Sequence, residues 1–362
     1  MLYHFLYPLK DYFFGFNVIR YITVRAAFAS ITAFVISIII GPRLIAWLQG
    51  LDIKQTIKRT GFSALYEAHA AKEKIPTMGG LLILGALLGS TLLWADLTNH
   101  YIWITVLVVL ALGGVGFMDD YLKLTKKNTK GLPALWKLAG QLIPALLLGI
   151  FLCYESPTWT TVNFPFLKNA AMTLGPLYVL FVVFVIVGAS NAVNLTDGLD
   201  GLAIGCTVMI ALAYALFSYV TGNFKFSNYL QIPYVAGAGE LTVFCAALFG
   251  AGLGFLWFNS HPAALFMGDT GSLSLGGALG AVAVLTKKEF LLVLVGGVFV
   301  IEALSVILQV GSYKFRKKRI FLMAPIHHHF QLKGLSESKV VIRFWIISII
   351  LALWGLATLK LQ

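Results

Sequence analysis

The sequence predicts an all-α fold, a polytopic integral membrane protein with about ten transmembrane helices. Three observations predict it. Of the 362 residues, 59% are hydrophobic and only 12% charged, whereas soluble domains carry about a quarter charged residues. The apolar residues fall in runs of about 20, the length a helix needs to cross a bilayer core. The 27 Lys and Arg are segregated between alternate loops, as they are when cytoplasmic loops hold the bases.

Residues 1–20 are rich in Tyr and Phe and lack a small-residue cleavage site after a short apolar core. They read as a retained segment lying at the interface and not as a cleaved signal peptide. The apolar spans then follow at 21–48, 78–95, 99–118, 133–153, 174–190, 201–220, 240–258, 271–286, 290–312 and 340–359. The fifth and eighth are the weakest, because each is short and abuts a polar motif. If the spans alternate, one set of loops holds Lys54, Lys58, Arg59, Lys72 and Lys74, then Lys123 to Lys130, then Lys314 to Arg319 and Lys333. The other set holds only Lys168, Lys225, Lys287 and Lys288. The first set is therefore cytoplasmic, and an even span count places both termini outside.

The formal charge of +12 is explained by that distribution. A nucleic-acid partner would need the bases on a folded soluble face, and no segment offers one. Cys153, Cys206 and Cys245 have no paired spacing, which argues against a disulfide framework or a zinc site. No internal repeat, low-complexity tract or long linker interrupts the chain, so residues 1–362 read as a single membrane domain.

With only 15 acidic residues, their placement is informative. Asp119 and Asp120 end the third span, Asp197 and Asp200 lie between the fifth and sixth, and Asp269 precedes the eighth. All face the cytoplasm by the topology above. Each carboxylate alone could be a helix cap. Gathered at one face in short loops rich in Gly and Asn, they point instead to a shared site, since carboxylates at a membrane boundary are costly to desolvate. Clustered carboxylates need a cation, and hard oxygen ligands suit Mg²⁺ bridging to substrate phosphates. Lys72, Lys123 and the bases from Arg316 to Arg319 would balance a diphosphate. The pattern predicts a membrane-embedded phosphoryl-transfer site.

Three further features remain open between readings. Pro76-Thr77-Met78-Gly79-Gly80 could present backbone N–H groups to a phosphate or could simply pack helices. His327, His328 and His329 could contact substrate or bind zinc, although adjacent histidines point in different directions on most backbones. Glu302, inside the ninth span, reads as a hydrogen-bond partner between helices in preference to a proton-relay group.

Together the motifs resemble the phospho-N-acetylmuramoyl-pentapeptide transferase family of the polyprenyl-phosphate N-acetylhexosamine 1-phosphate transferases. The resemblance runs from Phe16-Asn17 to the last span. It is carried by residues 76–80, Asp119-Asp120-Tyr121, residues 191–201, residues 254–259, residues 266–272 and residues 324–330, in the family's order. It implies a ten-helix enzyme of the bacterial inner membrane with periplasmic termini and a cytoplasmic active site, dependent on Mg²⁺ and forming a homodimer. It would transfer the phospho-sugar-peptide of UDP-N-acetylmuramoyl-pentapeptide to undecaprenyl phosphate, the first membrane step of peptidoglycan synthesis, with UMP as the other product. By motif position, Asp119, Asp120 and Asp269 match the catalytic aspartates, with Asp269 the metal ligand. Lys72, Thr77, Asn194, Asp197, Asp200, Asn259 and Phe266 match positions around the nucleotide and diphosphate, where Phe266 would stack on uracil. His327 and His328 match substrate-binding histidines. The sequence departs from the pattern at Lys74-Ile75 and at Gln331, where an acid is common.

The alternatives are a related transferase using another UDP-sugar and, from a different class, a secondary transporter. A transporter binds near the midplane through ionisable groups at that depth, whereas here the acids gather at one face.

Overall fold

A computed structural model describes residues 1–50, 75–125, 131–165 and 171–360. Lys72 and the bases between residues 54 and 74 lie outside the described residues. The short helix α1 (Leu2–Leu6) and two 3₁₀ turns lead into α2 (Ile22–Gly50). Then come α3 (Gly80–Trp94), α4 (His100–Thr125), α5 (Ala134–Glu155), α6 (Tyr178–Thr196), α7 (Leu202–Thr221), α8 (Phe224–Leu230) and α9 (Leu241–Asn259). The series ends with α10 (Gly268–Leu285), α11 (Glu289–Val295), α12 (Gly297–Arg316), α13 (Ile326–Leu332) and α14 (Glu337–Ala357). Every apolar run read from the sequence is helical. Among the described residues 8 helices are long and apolar enough to cross a membrane, which makes the chain a multi-pass membrane protein.

Two of the expected spans fall short, and only one of them is a run marked as weak. Helix α3 has 15 residues and reaches about 22 Å at 1.5 Å per residue. Helix α10 is interrupted by Gly and Ser, and the reason is its position: every residue from Thr270 to Leu285 is buried. It packs mainly on α4 and α6, with further contacts to α3 and α7. A helix walled by protein on all sides is selected for close approach, not for lipid contact. Gly80 illustrates this, because a Cβ there would stand 2.1 Å from the backbone nitrogen of Gly271.

A two-stranded antiparallel sheet, β1 (Thr161–Asn163) and β2 (Ala171–Thr173), was not foreseen by the all-α reading. Its β-branched Thr161, Val162 and Thr173 suit a pleated surface, but three-residue strands give no periodic signal. Lys287 anchors the hairpin: its Nζ donates to the carbonyls of Thr158 (2.9 Å), Trp159 (2.8 Å) and Thr161. In the same loop burial lowers the Lys288 ammonium to about 8.

This end of the bundle is stapled by a buried ion pair. The Arg25 guanidinium donates to both Glu240 oxygens at 2.7 and 2.5 Å, and the Asp96 N–H donates to the same carboxylate at 3.0 Å. Helices α2, α3, α4 and α9 are thereby fixed at one end. Removing one partner of such a pair strands a buried charge, which costs about 3–5 kcal/mol. Arg25→Met is expected to lower the unfolding temperature in detergent by several degrees, and Arg25→Met with Glu240→Leu should recover part of that loss. Unchanged unfolding of the single variant would show the staple to be dispensable.

Candidate active site

At the opposite end the carboxylates converge. One oxygen from each of Asp119, Asp120 and Asp269 lies within 4.8 Å of the other two. The three do different work. Both Asp120 oxygens are consumed by the start of α10: Oδ1 accepts the Asp269 N–H (3.1 Å), and Oδ2 accepts the Thr270 N–H (2.9 Å) and hydroxyl (2.7 Å). Asp120 thus caps a distant helix and satisfies N–H groups that would otherwise be orphaned. Gly268, at φ +72°, makes the turn before it, where a Cβ would lie 2.6 Å from Asp120 Oδ2.

Asp269 is left facing the site. Its Oδ1 accepts from Asn194 Nδ2 (2.8 Å), which also donates to Ser272 Oγ (2.8 Å). Its Oδ2 accepts from Lys123 (2.9 Å) and Lys137 (2.6 Å). Asp119 Oδ1 accepts the Leu132 N–H (2.8 Å), while its Oδ2 pairs with Lys123. Two ammonium groups therefore sit on the oxygens of Asp119 and Asp269 that point at one another. Hard oxygen donors already sharing cationic partners form a set that fits a divalent cation.

Lys137 escaped the sequence reading. A lysine at the start of an apolar helix is indistinguishable from a positive-inside anchor, and only the packing of α5 on α4 turns it toward Asp269.

The loop after α6 forms the next wall. Asp197 is half-buried; burial first, then the charges of Asp269, Asp120 and Asp200, push its carboxyl up to about 7. Asp200 and Asn259, expected around the nucleotide, are 3% and 2% exposed and bind protein. Asp200 Oδ2 meets His261 Nδ1 (3.0 Å) and accepts the Ala263 N–H (3.2 Å), while its own N–H donates to Glu337 Oε1 (2.9 Å). Asn259 accepts the Gly201 N–H (3.0 Å) and donates to the Leu265 carbonyl (2.8 Å). These bonds tie the loop carrying Asp197 to the loop carrying Asp269. His261 and Glu337 were not singled out in the sequence.

Residues 76–80 close the opposite side. The N–H groups of Gly79 and Gly80 donate to the carbonyls of Phe266 (2.7 Å) and Met267 (2.9 Å), and the Phe266 N–H donates to Pro76 (2.9 Å). Of the two readings of these glycines, packing holds and the phosphate cradle does not, because the N–H groups are spent. Thr77 and Phe266 are half-buried beside the Gly268 turn.

His327 is fully buried, with Nδ1 3.1 Å from Glu302 Oε2. Glu302 is accordingly an inter-element partner, and the base it meets comes from α13. The other face of the ring abuts Gly198, where a Cβ would stand 2.4 Å from Nε2. His328 Nδ1 lies 2.8 Å from Oε1 of Gln331, the residue at which the sequence departs from the motif.

Residues 102–287 match glycosyl transferase family 4. Relatives named phospho-N-acetylmuramoyl-pentapeptide-transferase from Citrifermentans bemidjiense and from a Geobacter species (strain M21) are each 57% identical over the whole of both chains. A relative of the same name from Desulfotalea psychrophila is 56% identical, again over all of both. The chain belongs to the phospho-N-acetylmuramoyl-pentapeptide-transferase family. Its carboxylate cluster, Asp119 and Asp120 on α4 and Asp269 at the start of α10, lies wholly inside the matched residues.

The raised Asp197 gives a pH test. An unfolded aspartate ionises near 4, so between about pH 4 and 7 the folded transferase holds a proton that the unfolded chain has released. Stability of chelator-treated protein should therefore fall as pH rises through that window. Unfolding temperatures from pH 4.5 to 8 should show a shallower fall for Asp197→Asn; parallel curves would contradict the assignment.

Proposed function

We propose that this transferase moves the phospho-N-acetylmuramoyl-pentapeptide group from UDP-N-acetylmuramoyl-pentapeptide to undecaprenyl phosphate, releasing UMP and leaving the sugar-peptide on a lipid diphosphate. The observation that carries the reading is the pairing of Asp119 and Asp269 with Lys123 and Lys137 at one end of the bundle, in a chain whose full-length relatives bear that name. The proposal extends to a single membrane domain of ten spans with both termini periplasmic. It places this end of the bundle at the cytoplasmic face of a bacterial inner membrane and takes the working state as a homodimer.

An acceptor phosphate oxygen attacks the sugar-linked phosphorus of the donor in line, a new P–O bond forms, and the bond from that phosphorus to the UMP oxygen breaks. A phosphomonoester has a second pKa near 6, so at pH 7 the acceptor is mostly a dianion and needs little help from a base. Lys123 and Lys137 follow the charge of the diphosphate, and Asp119 positions them and takes the residual acceptor proton below neutrality. Asn194 orients the Asp269 carboxylate. Mg²⁺ held by Asp269, with Asp119 beside it, would neutralise the charge that grows on the leaving group. Thr77, Asp197, Phe266 and His328 line the approach for the nucleotide and sugar. Asp120, Asp200, Asn259 and His327 hold the walls, and Lys72, outside the described residues, stays a candidate contact to the nucleotide by motif position.

The reading is tested by UMP release from purified protein, which should require both substrates and a divalent ion and no membrane gradient. Release without the lipid phosphate, or turnover only across a sealed gradient, would overturn it. Asp269→Asn should lower kcat by about 10²-fold to 10³-fold, the usual cost of an electrostatic contact made in the transition state. Asp119→Asn should regain part of its lost rate between pH 6 and 8, as the acceptor becomes fully dianionic, and Asp269→Asn should not. Lys137→Met should lower kcat/KM by about 10-fold or more.

A further inference from the structure

Two polar side chains lie inside the bundle one helical turn beneath the aspartate cluster, and the reaction proposed above uses neither. Gln141 on α5 is 1% exposed, and its Oε1 accepts from Asn191 Nδ2 on α6 at 2.6 Å. The same Nδ2 donates to the Val187 carbonyl at 2.8 Å. A carbonyl can only accept, so the Asn191 atom that faces it is the amide nitrogen, and Gln141 must present its oxygen. Both amides are thereby held in one orientation.

Their place on the helices gives the bond its use. Lys137 and Gln141 are four residues apart on α5, and Asn191 and Asn194 are three apart on α6, so each pair shares a helix face. Lys137 donates to Asp269 Oδ2 and Asn194 to Asp269 Oδ1. Helices α5 and α6 therefore meet at two levels, about 5.4 Å apart along α5. The Asp269 carboxylate joins them at the site, and the Gln141–Asn191 bond joins them directly below it. The turn bearing Lys137 is tied to the rest of α5 by one backbone bond fewer than usual, because Pro144 lies inside the helix and has no N–H to offer the Gly140 carbonyl. Toward α4 the same turn makes apolar contact, for a Cβ on Gly140 would stand 2.5 Å from Val115 Cγ2. Apolar contact lets one helix rotate on another, whereas a buried hydrogen bond fixes direction and length.

We propose that Gln141 and Asn191 are a positioning pair for the transfer: their hydrogen bond sets the rotation of α5 on α6, and with it the place where the Lys137 ammonium meets Asp269 and the substrate diphosphate. The pair acts through Lys137. Its role rests on the proposed function and deepens it.

The test is a mutant cycle on UMP release, with kcat and donor KM measured in detergent. Gln141→Leu nearly keeps the side-chain volume and removes the acceptor. It should lower kcat/KM by about 10-fold, as misplacement of a contacting group does. In the Lys137→Met background the same change should cost less than about 2-fold. Gln141→Asn with Asn191→Gln exchanges the two amides at constant summed length and should regain most of the rate. Gln141→Leu with Asn191→Leu leaves no amide unpaired, so it should unfold close to the wild-type temperature yet stay about 10-fold slow. Should the single variant not fold, this apolar pair carries the same cycle. Equal losses in the two backgrounds, or an apolar pair as active as wild type, would overturn the proposal, since either result reduces the pair to packing. A wild type that releases no UMP with both substrates present would instead overturn the functional reading, and the positioning role with it.

Discussion

Carboxylates held within 4.8 Å of one another at the end of an apolar bundle repel unless positive charge lies between them, and that requirement organises one whole end of this molecule. Lys123 from α4 and Lys137 from α5 meet Asp119 and Asp269 from α4 and α10, so the charge balance also fixes how these three helices sit together. In the proposed reaction the same two lysines exchange a carboxylate for the diphosphate of the substrate.

The second constraint is the central helix. Asp269 is useful only if α10 presents it in one place, and α10 is fixed by being buried along its length and by Asp120 closing its first turn. The close approach of Gly80 to Gly271 and the backbone bonds from residues 79 and 80 to residues 266 and 267 tie α3 to the same turn. Among the described residues the site is thus a set of helix ends, with loops cross-linked by Asp200 and Asn259.

Much of this was legible in the sequence because it rests on local chemistry. Apolar runs of bilayer length mark helices whatever they pack against, and acids are so costly at a membrane boundary that Asp119, Asp197 and Asp269 announce a site. What was not legible depends on tertiary contact. Lys137 reads as an ordinary flanking base until α5 is laid against α4. Asp120 and Asp200 resemble Asp119 and Asp269 in sequence, yet one caps a helix and the other locks two loops, a distinction that only their hydrogen bonds reveal. Glu302 lacked a visible partner because His327 arrives from a separate short helix. The β hairpin was hidden by strands of three residues, whereas α3 falls short as a span at 15 residues although its run carried no mark of weakness.

Asp119 and Asp269, balanced by two lysines, form the proposed cation site. Electron paramagnetic resonance of Mn²⁺ titrated into purified protein measures this directly, without substrate or turnover. Wild type is predicted to bind the ion and Asp269→Asn to lose that binding, while Lys137→Met, freed of the competing ammonium, binds at least as tightly as wild type. An Asp269→Asn titration superimposable on wild type would contradict the claim and reduce the carboxylate cluster to a set of helix-end contacts.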